Sequence, residues 1–391
     1  MDKVKGLDTI ICDAVMNGIF PGANYDDLIG LDVYDKTIES GKIGVVVDIV
    51  EVPQGEILRI KLSNGKKALV PNKEENSIDT LYDMASCTKV LSTTSCIMKL
   101  LEMGKLRLYD NVSKYLPEFI HKDILIWDLL THSSGLPADV HRSAKLKSKE
   151  ELLEKIWNVE LKYERYSNIV YSDIGFILLG LVVEAISEMP LDEFAKKYVF
   201  DPLEMYNTGF NRISENMNVD FSKYAATEKR SDEIVDEVLR GKVHDEKAYI
   251  MGGVAGHAGL FSCVEDISHF IEMILNDGVY KGKQFFSRAT VDLLFTPQVK
   301  VPKGVSLDCT QRGLGWIVKG DFCGAGDLVS PETIHHTGFT GTNVCIDRIN
   351  KVGFSILSNR VHPSRSNVLI IPFRAKVGNY IIANFGGRNE Y

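Results

Sequence analysis

The 391-residue chain predicts a mixed fold of the α/β (α+β) class: an antiparallel sheet assembled from both chain ends, flanked by helices and joined to a mainly helical subdomain. Three observations predict it. β-rich runs broken by turn signals lie near the N-terminus, helical patterns fill the middle, and β-rich runs return near the C-terminus. With 45% hydrophobic and 25% charged residues, the chain has the composition of an ordinary globular protein and is long enough to bury one large core.

Taken in order, residues 1–22 read as an amphipathic helix closed by Phe20-Pro21-Gly22. The runs 43–52, 56–62 and 66–70 are β-rich and are separated by Pro53-Gln54-Gly55 and Ser63-Asn64-Gly65, which makes a meander of short strands. Beyond Ser86 the stretch 90–101 places apolar or small residues on nearly every helical face, and Gly104 supplies a C-terminal stop. That pattern predicts a buried central helix. A mainly helical region, about 105–250 with an irregular polar stretch from about 205, comes next. A helix around 265–276, strands at 342–346 and 353–357 and an amphipathic segment at 368–383 complete the chain.

The net charge of -8 and a pI near 5.7 argue against a nucleic-acid surface. The first twelve residues carry acidic groups among short apolar pairs and no hydrophobic signal core, and the best apolar run, 176–183, is interrupted at Glu184. The seven cysteines, Cys12, Cys87, Cys96, Cys263, Cys309, Cys323 and Cys345, show neither C-x-x-C nor zinc spacing. The expectation is a cytoplasmic protein with no membrane span, no structural metal and no cofactor. Nothing in the sequence speaks to oligomeric state.

Chemistry concentrates in Asp83-Met84-Ala85-Ser86-Cys87-Thr88-Lys89. If Ser86 opens the helix, Lys89 lies about one turn further along the same face and reaches the hydroxyl. A lysine desolvated or crowded by a second cation is neutral near pH 7 and takes the serine proton, which makes Ser86 a candidate acyl-transfer nucleophile. Such a site also needs a proton carrier and an oxyanion hole. Two triplets compete for the first task, Tyr166-Ser167-Asn168 and Tyr171-Ser172-Asp173; either also serves as a loop-to-helix cap. For the second, Gly338 in 334–342 lets substrate lie against the backbone, and the Phe339 amide joins that of Ser86.

Seven ordered segments carry a family resemblance. They are 81–89, 127–137 (Trp127-Asp128-Leu129-Leu130-Thr131-His132-Ser133-Ser134-Gly135-Leu136-Pro137), Tyr171-Ser172-Asp173 with 175–180, Pro202-Leu203-Glu204-Met205, 252–261, Gly313-Leu314-Gly315-Trp316, and His336-Thr337-Gly338-Phe339-Thr340-Gly341. Over roughly 75–365 the chain resembles the serine β-lactamase and penicillin-binding-protein-like hydrolases, the group that includes class C enzymes, D,D-peptidases and esterases. The resemblance implies that Ser86 is acylated, that Lys89 and Tyr171 share proton transfer, and that His336, Thr337 and Gly338 form the strand edge along which substrate binds. It favours Tyr171 over Tyr166, because the family's tyrosine stands just before the Leu-Leu-Gly helix. His132 and His257 are read as loop-ordering residues, and Val243-His244-Asp245-Glu246 as a packing element lining the cleft rather than a metal site.

Two departures bear on substrate. His336 stands where many relatives have a lysine, and Asp173 where asparagine is frequent; a mostly neutral imidazole and a carboxylate both disfavour an anionic substrate, while the carboxylate favours the charged form of Lys89. The expected activity is a serine hydrolase working through an acyl-enzyme on a small ester or amide. D-amino-acid peptidase and β-lactamase are the alternatives. A further departure is 26–71, which resembles the PRC-barrel of ribosome maturation factors and equally reads as an unusual version of the hydrolase's first two strands. The expected organisation is one hydrolase domain over 1–391 with an atypical β-rich segment at 24–72. A catalytically weak scaffold docking a protein or RNA partner through that segment is the contrasting possibility.

Overall fold

The computed structural model describes residues 79–140, 146–214, 219–232, 234–300, 311–319 and 323–387. The N-terminal helix, the strand meander and the barrel-like segment expected from the sequence lie outside the described residues.

Strand β1 (Tyr82–Asp83) runs directly into a continuous helical stretch made of a tight turn at Ala85–Cys87, a wide π-helical turn at Lys89–Thr94 and helix α1 (Ser95–Glu102). Val90, Leu91, Cys96, Ile97 and Met98 are all fully buried on it, as expected for an axis surrounded on every side. Gly104 follows with φ +68°, and its N–H donates to the Leu101 carbonyl, which closes the helix.

Around this axis pack α2 (Ile126–Leu130), α3 (Lys149–Trp157), α4 (Asp173–Ser187) and α5 (Leu191–Ala195). Ser148 and Ser172 cap α3 and α4 by accepting from Glu151 and Gly175 N–H groups. Helix α4 is apolar on nearly every side and buried in the core. Among the described residues no single helix is long and apolar enough to cross a membrane. The tight seat of α4 shows at Gly256, where an added Cβ would lie 2.1 Å from the Phe176 carbonyl oxygen and 2.9 Å from the Gly180 nitrogen.

Strand β2 (Gly209–Phe210) leads to a hairpin of β3 (Ala226–Ser231) and β4 (Asp236–Arg240), then to α6 (Glu246–Ile250) and β5 (Leu260–Ser262), the centre of a small sheet β1-β5-β2. The hairpin falls in the stretch read as irregular. Its alternation is hidden because Glu228 and Arg230 point inward, where they pair with Arg365 and Asp232 respectively. Helix α7 (Val264–Leu275), the short pair β6 (Val279–Tyr280) and β7 (Lys283–Gln284), and α8 (Arg288–Phe295) follow.

The main sheet is antiparallel and ordered β13-β12-β11-β10-β9-β8, from β8 (Val299–Lys300), β9 (Gln311–Arg312), β10 (Ile317–Val318), β11 (Thr333–Thr337), β12 (Asn343–Asp347) and β13 (Val352–Ile356). All six described strands come from the C-terminal third; any contribution from the N-terminal runs lies outside the described residues. Helix α9 (Ile370–Phe385) buries Ile370, Phe373, Val377 and Ile381 at helical spacing, and it and α7 pack against β13.

Gly256→Ala is expected to lower stability by about 1–3 kcal/mol through overpacking against α4, read as a lower urea midpoint with an unchanged slope.

Candidate active site

The turn that carries Ser86 is set by Asp83. Its buried carboxylate accepts from the Ala85 N–H (2.8 Å) and, through the other oxygen, from the His244 N–H (2.7 Å). Ala85 takes the left-handed conformation at φ +44°, unfavourable for an L-residue with a Cβ, so the following residue leaves the strand sharply. Ser86 is part-exposed while its neighbours are buried.

Segment 338–342 is tied to this turn. Thr340 donates to the Asp83 carbonyl (2.6 Å), Thr342 to the Met84 carbonyl (3.1 Å), and the Cys87 thiol faces the His336 carbonyl (3.7 Å). A Cβ at Gly338 would come within 2.6 Å of the Met84 carbonyl oxygen, so only glycine lets the two backbones meet. Arg374 from α9 donates to the carbonyls of Gly338 and Thr342, locking the turn from behind. Phe339 follows Gly338 in this segment with its side chain exposed, and its N–H has no acceptor among the described residues.

Lys89 is fully buried. Its ammonium donates to Ser86 Oγ (3.2 Å) and the His257 carbonyl (3.0 Å), and lies 2.9 Å from Asp173 Oδ1. Burial pulls its pKa down, but Asp173 and the adjoining Tyr171 outweigh burial and raise it above the ordinary lysine value. The neutral resting lysine that the motif alone suggests is therefore replaced by an ammonium, because a carboxylate rather than a second cation is its nearest charged neighbour.

Asp173 opens α4, and its second oxygen contacts Lys247 (3.2 Å), which also reaches Asp139 (3.1 Å). Burial opposes ionisation of Asp173, yet Lys89, His257 and Lys247 together hold its pKa at about 2. Asp245 caps α6 by accepting from the Lys247 and Ala248 N–H groups and binds His257 Nε2 at 2.7 Å. Segment 243–246 thus packs against Asp83 and His257, and the His257 carbonyl holds Lys89.

Tyr171 packs its ring 4.7 Å from the Lys89 ammonium and is flanked by His132 (4.8 Å between centroids) and His336 (6.0 Å). Its hydroxyl lies beside Lys89 and Ser86, but no hydrogen bond to it is formed among the described residues. Burial raises the phenol pKa, with Lys89 pulling against it. Tyr166 is instead on the surface, exposed and packed against Trp127 and Arg165. His132 accepts the Ser172 N–H on Nδ1. His336 bonds its neighbour Thr337 through Nδ1 (2.9 Å), and burial, then Arg312 and Lys89, keep it well below the usual histidine range. It is neutral at pH 7.

The structure thus brings Ser86, Lys89, Tyr171, Asp173, His336, Thr337, Gly338 and Phe339 to one cleft. Sequence reasoning missed Lys247, Asp139 and Arg312. Lys247 stands directly after the quoted 243–246 element and Arg312 directly before Gly313-Leu314-Gly315-Trp316, so adjacency to a recognised motif was the only available signal.

Carboxylate and imidazole atoms of Asp173, Asp245 and His257 lie within 4.8 Å of one another, a spacing that suits a metal ion. Two ammonium groups already occupy Asp173, and His257 Nε2 is spent on Asp245. The donor set is that of a neutralised ion-pair network and does not fit a further cation.

A family model described as Beta-lactamase matches residues 61–379, and one described as PRC-barrel domain matches residues 22–82. A protein of Escherichia coli (strain K12) that carries D-alanyl-D-alanine carboxypeptidase in its name is 35% identical over 336 residues, covering 78% of this chain and 75% of its own. One from Salmonella agona (strain SL483) with the same words in its name is 37% identical over 323 residues, covering 75% and 72%. Among solved structures, the hydrolase EstCE1 aligns with a TM-score of 0.65 at 19% identity over 97% of this chain and 98% of its own. The octameric penicillin-binding protein homologue from Pyrococcus abyssi aligns with a TM-score of 0.58 at 20% identity over 84% and 72%. At such identities the structures speak for the fold. The chain belongs to the beta-lactamase family, as a serine hydrolase with a β-lactamase/transpeptidase-like fold.

Because Asp173 raises the Lys89 pKa, Asp173→Asn lets the ammonium lose its proton at lower pH. The midpoint of the rise in Ser86 acylation by a neutral fluorophosphonate is expected to shift to lower pH in that variant; an unchanged midpoint would mean that Lys89 does not govern the profile.

Proposed function

We propose that this serine hydrolase acts on a small-molecule ester or amide with Ser86 as nucleophile. The observation that carries the reading is the 3.2 Å contact between Lys89 Nζ and Ser86 Oγ inside a buried charge network. Ser86 Oγ bonds to the carbonyl carbon and its proton passes to the Lys89–Tyr171 pair. The bond to the leaving group then breaks as Tyr171 returns that proton to it. Water next attacks the acyl-enzyme; its oxygen bonds to carbon, the Ser86 ester bond breaks, and a water proton returns to Oγ. The Ser86 and Phe339 amides hold the oxyanion in each half, and substrate lies along His336, Thr337 and Gly338.

In the resting protein Lys89 is an ammonium and Tyr171 a phenol, one proton too many for the pair to accept another. The competent form is the one that has lost a proton, so the reaction rises with pH. The names of the sequence relatives support a second reading, a carboxypeptidase cleaving a D-alanyl peptide; under it a penicillin also acylates Ser86. The PRC-barrel match supports the reading of 24–72 as a segment added to the hydrolase rather than its own first strands.

Intact-mass spectrometry after exposure to a fluorophosphonate, and separately to a penicillin, is expected to show one adduct on the wild type and none on Ser86→Ala. A penicillin adduct favours the carboxypeptidase reading. A folded protein that takes neither probe would overturn the nucleophile assignment and favour the scaffold reading.

A further inference from the structure

We propose that Arg374 is a positioning residue for the oxyanion hole: its guanidinium holds and polarises the Gly338–Phe339 peptide, so that the Phe339 N–H is a stronger donor to the developing oxyanion. This deepens the acyl-enzyme reading above and rests on it.

One peptide unit contains both groups. Its carbonyl belongs to Gly338 and its N–H to Phe339, and in a trans peptide the two point in opposite directions within one plane. Arg374 Nη2 donates to the Gly338 carbonyl at 3.1 Å, while the Phe339 N–H has no acceptor among the described residues. A cation therefore sits at the negative end of this peptide dipole, and the positive end is left free. Hydrogen bonds polarise one another in series, so an amide whose carbonyl accepts from a charged donor gives a stronger bond from its own N–H.

Arg374 is only 6% exposed and its acceptors are carbonyl oxygens; no carboxylate pairs with it among the described residues. Burial lowers its pKa to about 10, so the guanidinium keeps its charge at neutral pH. Burying a cation without a counterion is costly. Its field is not cancelled by a neighbouring anion, unlike that of Lys89 or Lys247, each held by Asp173. The same Nη2 donates to the Thr342 carbonyl at 2.8 Å, which also accepts the Gly338 N–H at 2.7 Å, so both ends of 338–342 are stapled and the peptide plane is held.

The free N–H lies beside the turn that carries Ser86, because Phe339 stands between two residues anchored to that turn. At Gly338 an added Cβ would lie 2.6 Å from the Met84 carbonyl oxygen, and the Thr340 hydroxyl donates to the Asp83 carbonyl at 2.6 Å. Arg360 donates to the Phe339 carbonyl at 2.6 Å, but that carbonyl belongs to the next peptide, so this bond does not act on the unit that carries the free N–H. Phe373 and Val377 are buried on α9, which fixes the helix that delivers Arg374 to the back of the turn.

The test reads two quantities in the wild type, Arg374→Gln and Arg374→Lys: the second-order rate of Ser86 labelling by a fluorophosphonate, and the proton chemical shift of the Phe339 amide in the resting protein. That amide is selected by labelling glycine carbonyls with carbon-13 and phenylalanine nitrogens with nitrogen-15, and is assigned by its loss in Phe339→Leu. In Arg374→Gln, which retains an N–H donor and removes the charge, labelling is expected to slow roughly 10-fold, less than the about 10²–10³-fold typical of losing a whole oxyanion donor. The Phe339 amide proton is expected to move upfield in the same variant, and Arg374→Lys to recover part of both effects. A merely structural staple follows the hydrogen bond and not the charge, so equal behaviour of the glutamine and lysine variants overturns the proposal. A slower rate with an unmoved amide proton overturns it, as does a moved proton with an unchanged rate. Arg374→Met takes the place of Arg374→Gln in the comparison with Arg374→Lys if the glutamine variant does not fold. If the wild type is not labelled, the acyl-enzyme reading fails and the amide proton decides alone: an upfield move that follows the charge sustains the polarised donor, and no move overturns it.

Discussion

The Asp173 carboxylate is the constraint on which the rest of the site depends. One oxygen holds Lys89 from the helical stretch that follows Ser86 and the other holds Lys247 from α6, while its backbone opens α4. Three elements remote in sequence are thereby fixed around one buried charge. Ions removed from water are tolerated when each is paired and hydrogen-bonded, and removing one partner of such a pair typically costs about 3–5 kcal/mol. The network is closed by Asp139, Asp245 and His257, so the ammonium beside Ser86 is held by its surroundings as well as by its own helix.

That arrangement sets a balance between positioning and reactivity. The carboxylate that keeps Lys89 next to Ser86 also keeps it protonated. A site built this way gains geometric definition in the resting protein at the expense of basicity. In the proposed reaction the electrostatic work then falls on fixed donors, the backbone amides where 338–342 meets 83–86. These are preorganised by hydrogen bonds to Asp83 and Met84 and by the buried Arg374, with no reorganisation required when charge develops.

Much of this was legible in the chain because the residues concerned sit in short local patterns. The buried helix after Ser86, its stop at Gly104, the helix near 265–276, strands β12 and β13 and the closing helix each follow from apolar periodicity. Tyr171 and Tyr166 were not separable by local pattern, since both precede a polar pair suited to capping; family resemblance favoured one, and the fold places that one in the cleft. Hairpin β3–β4 was hidden because inward Glu228 and Arg230 erase the alternation that marks a half-buried strand. Lys247 and Arg312 were hidden for another reason. A lysine on a five-residue helix and an arginine on a two-residue strand look like solvated charges, and only the packing of distant elements shows that both are buried, Lys247 beside Asp173 and Arg312 beside the Tyr171 ring.

The Cys87 thiol, next in sequence to Ser86 and directed at the His336 carbonyl, has a consequence for selective chemistry. Burial pushes its pKa up to about 12, so at physiological pH almost none of it is thiolate, the form that reacts with electrophiles. A buried, protonated thiol thus stands beside the part-exposed Ser86 hydroxyl. Oxidants and alkylating agents meet a thiol that is both out of reach and protonated.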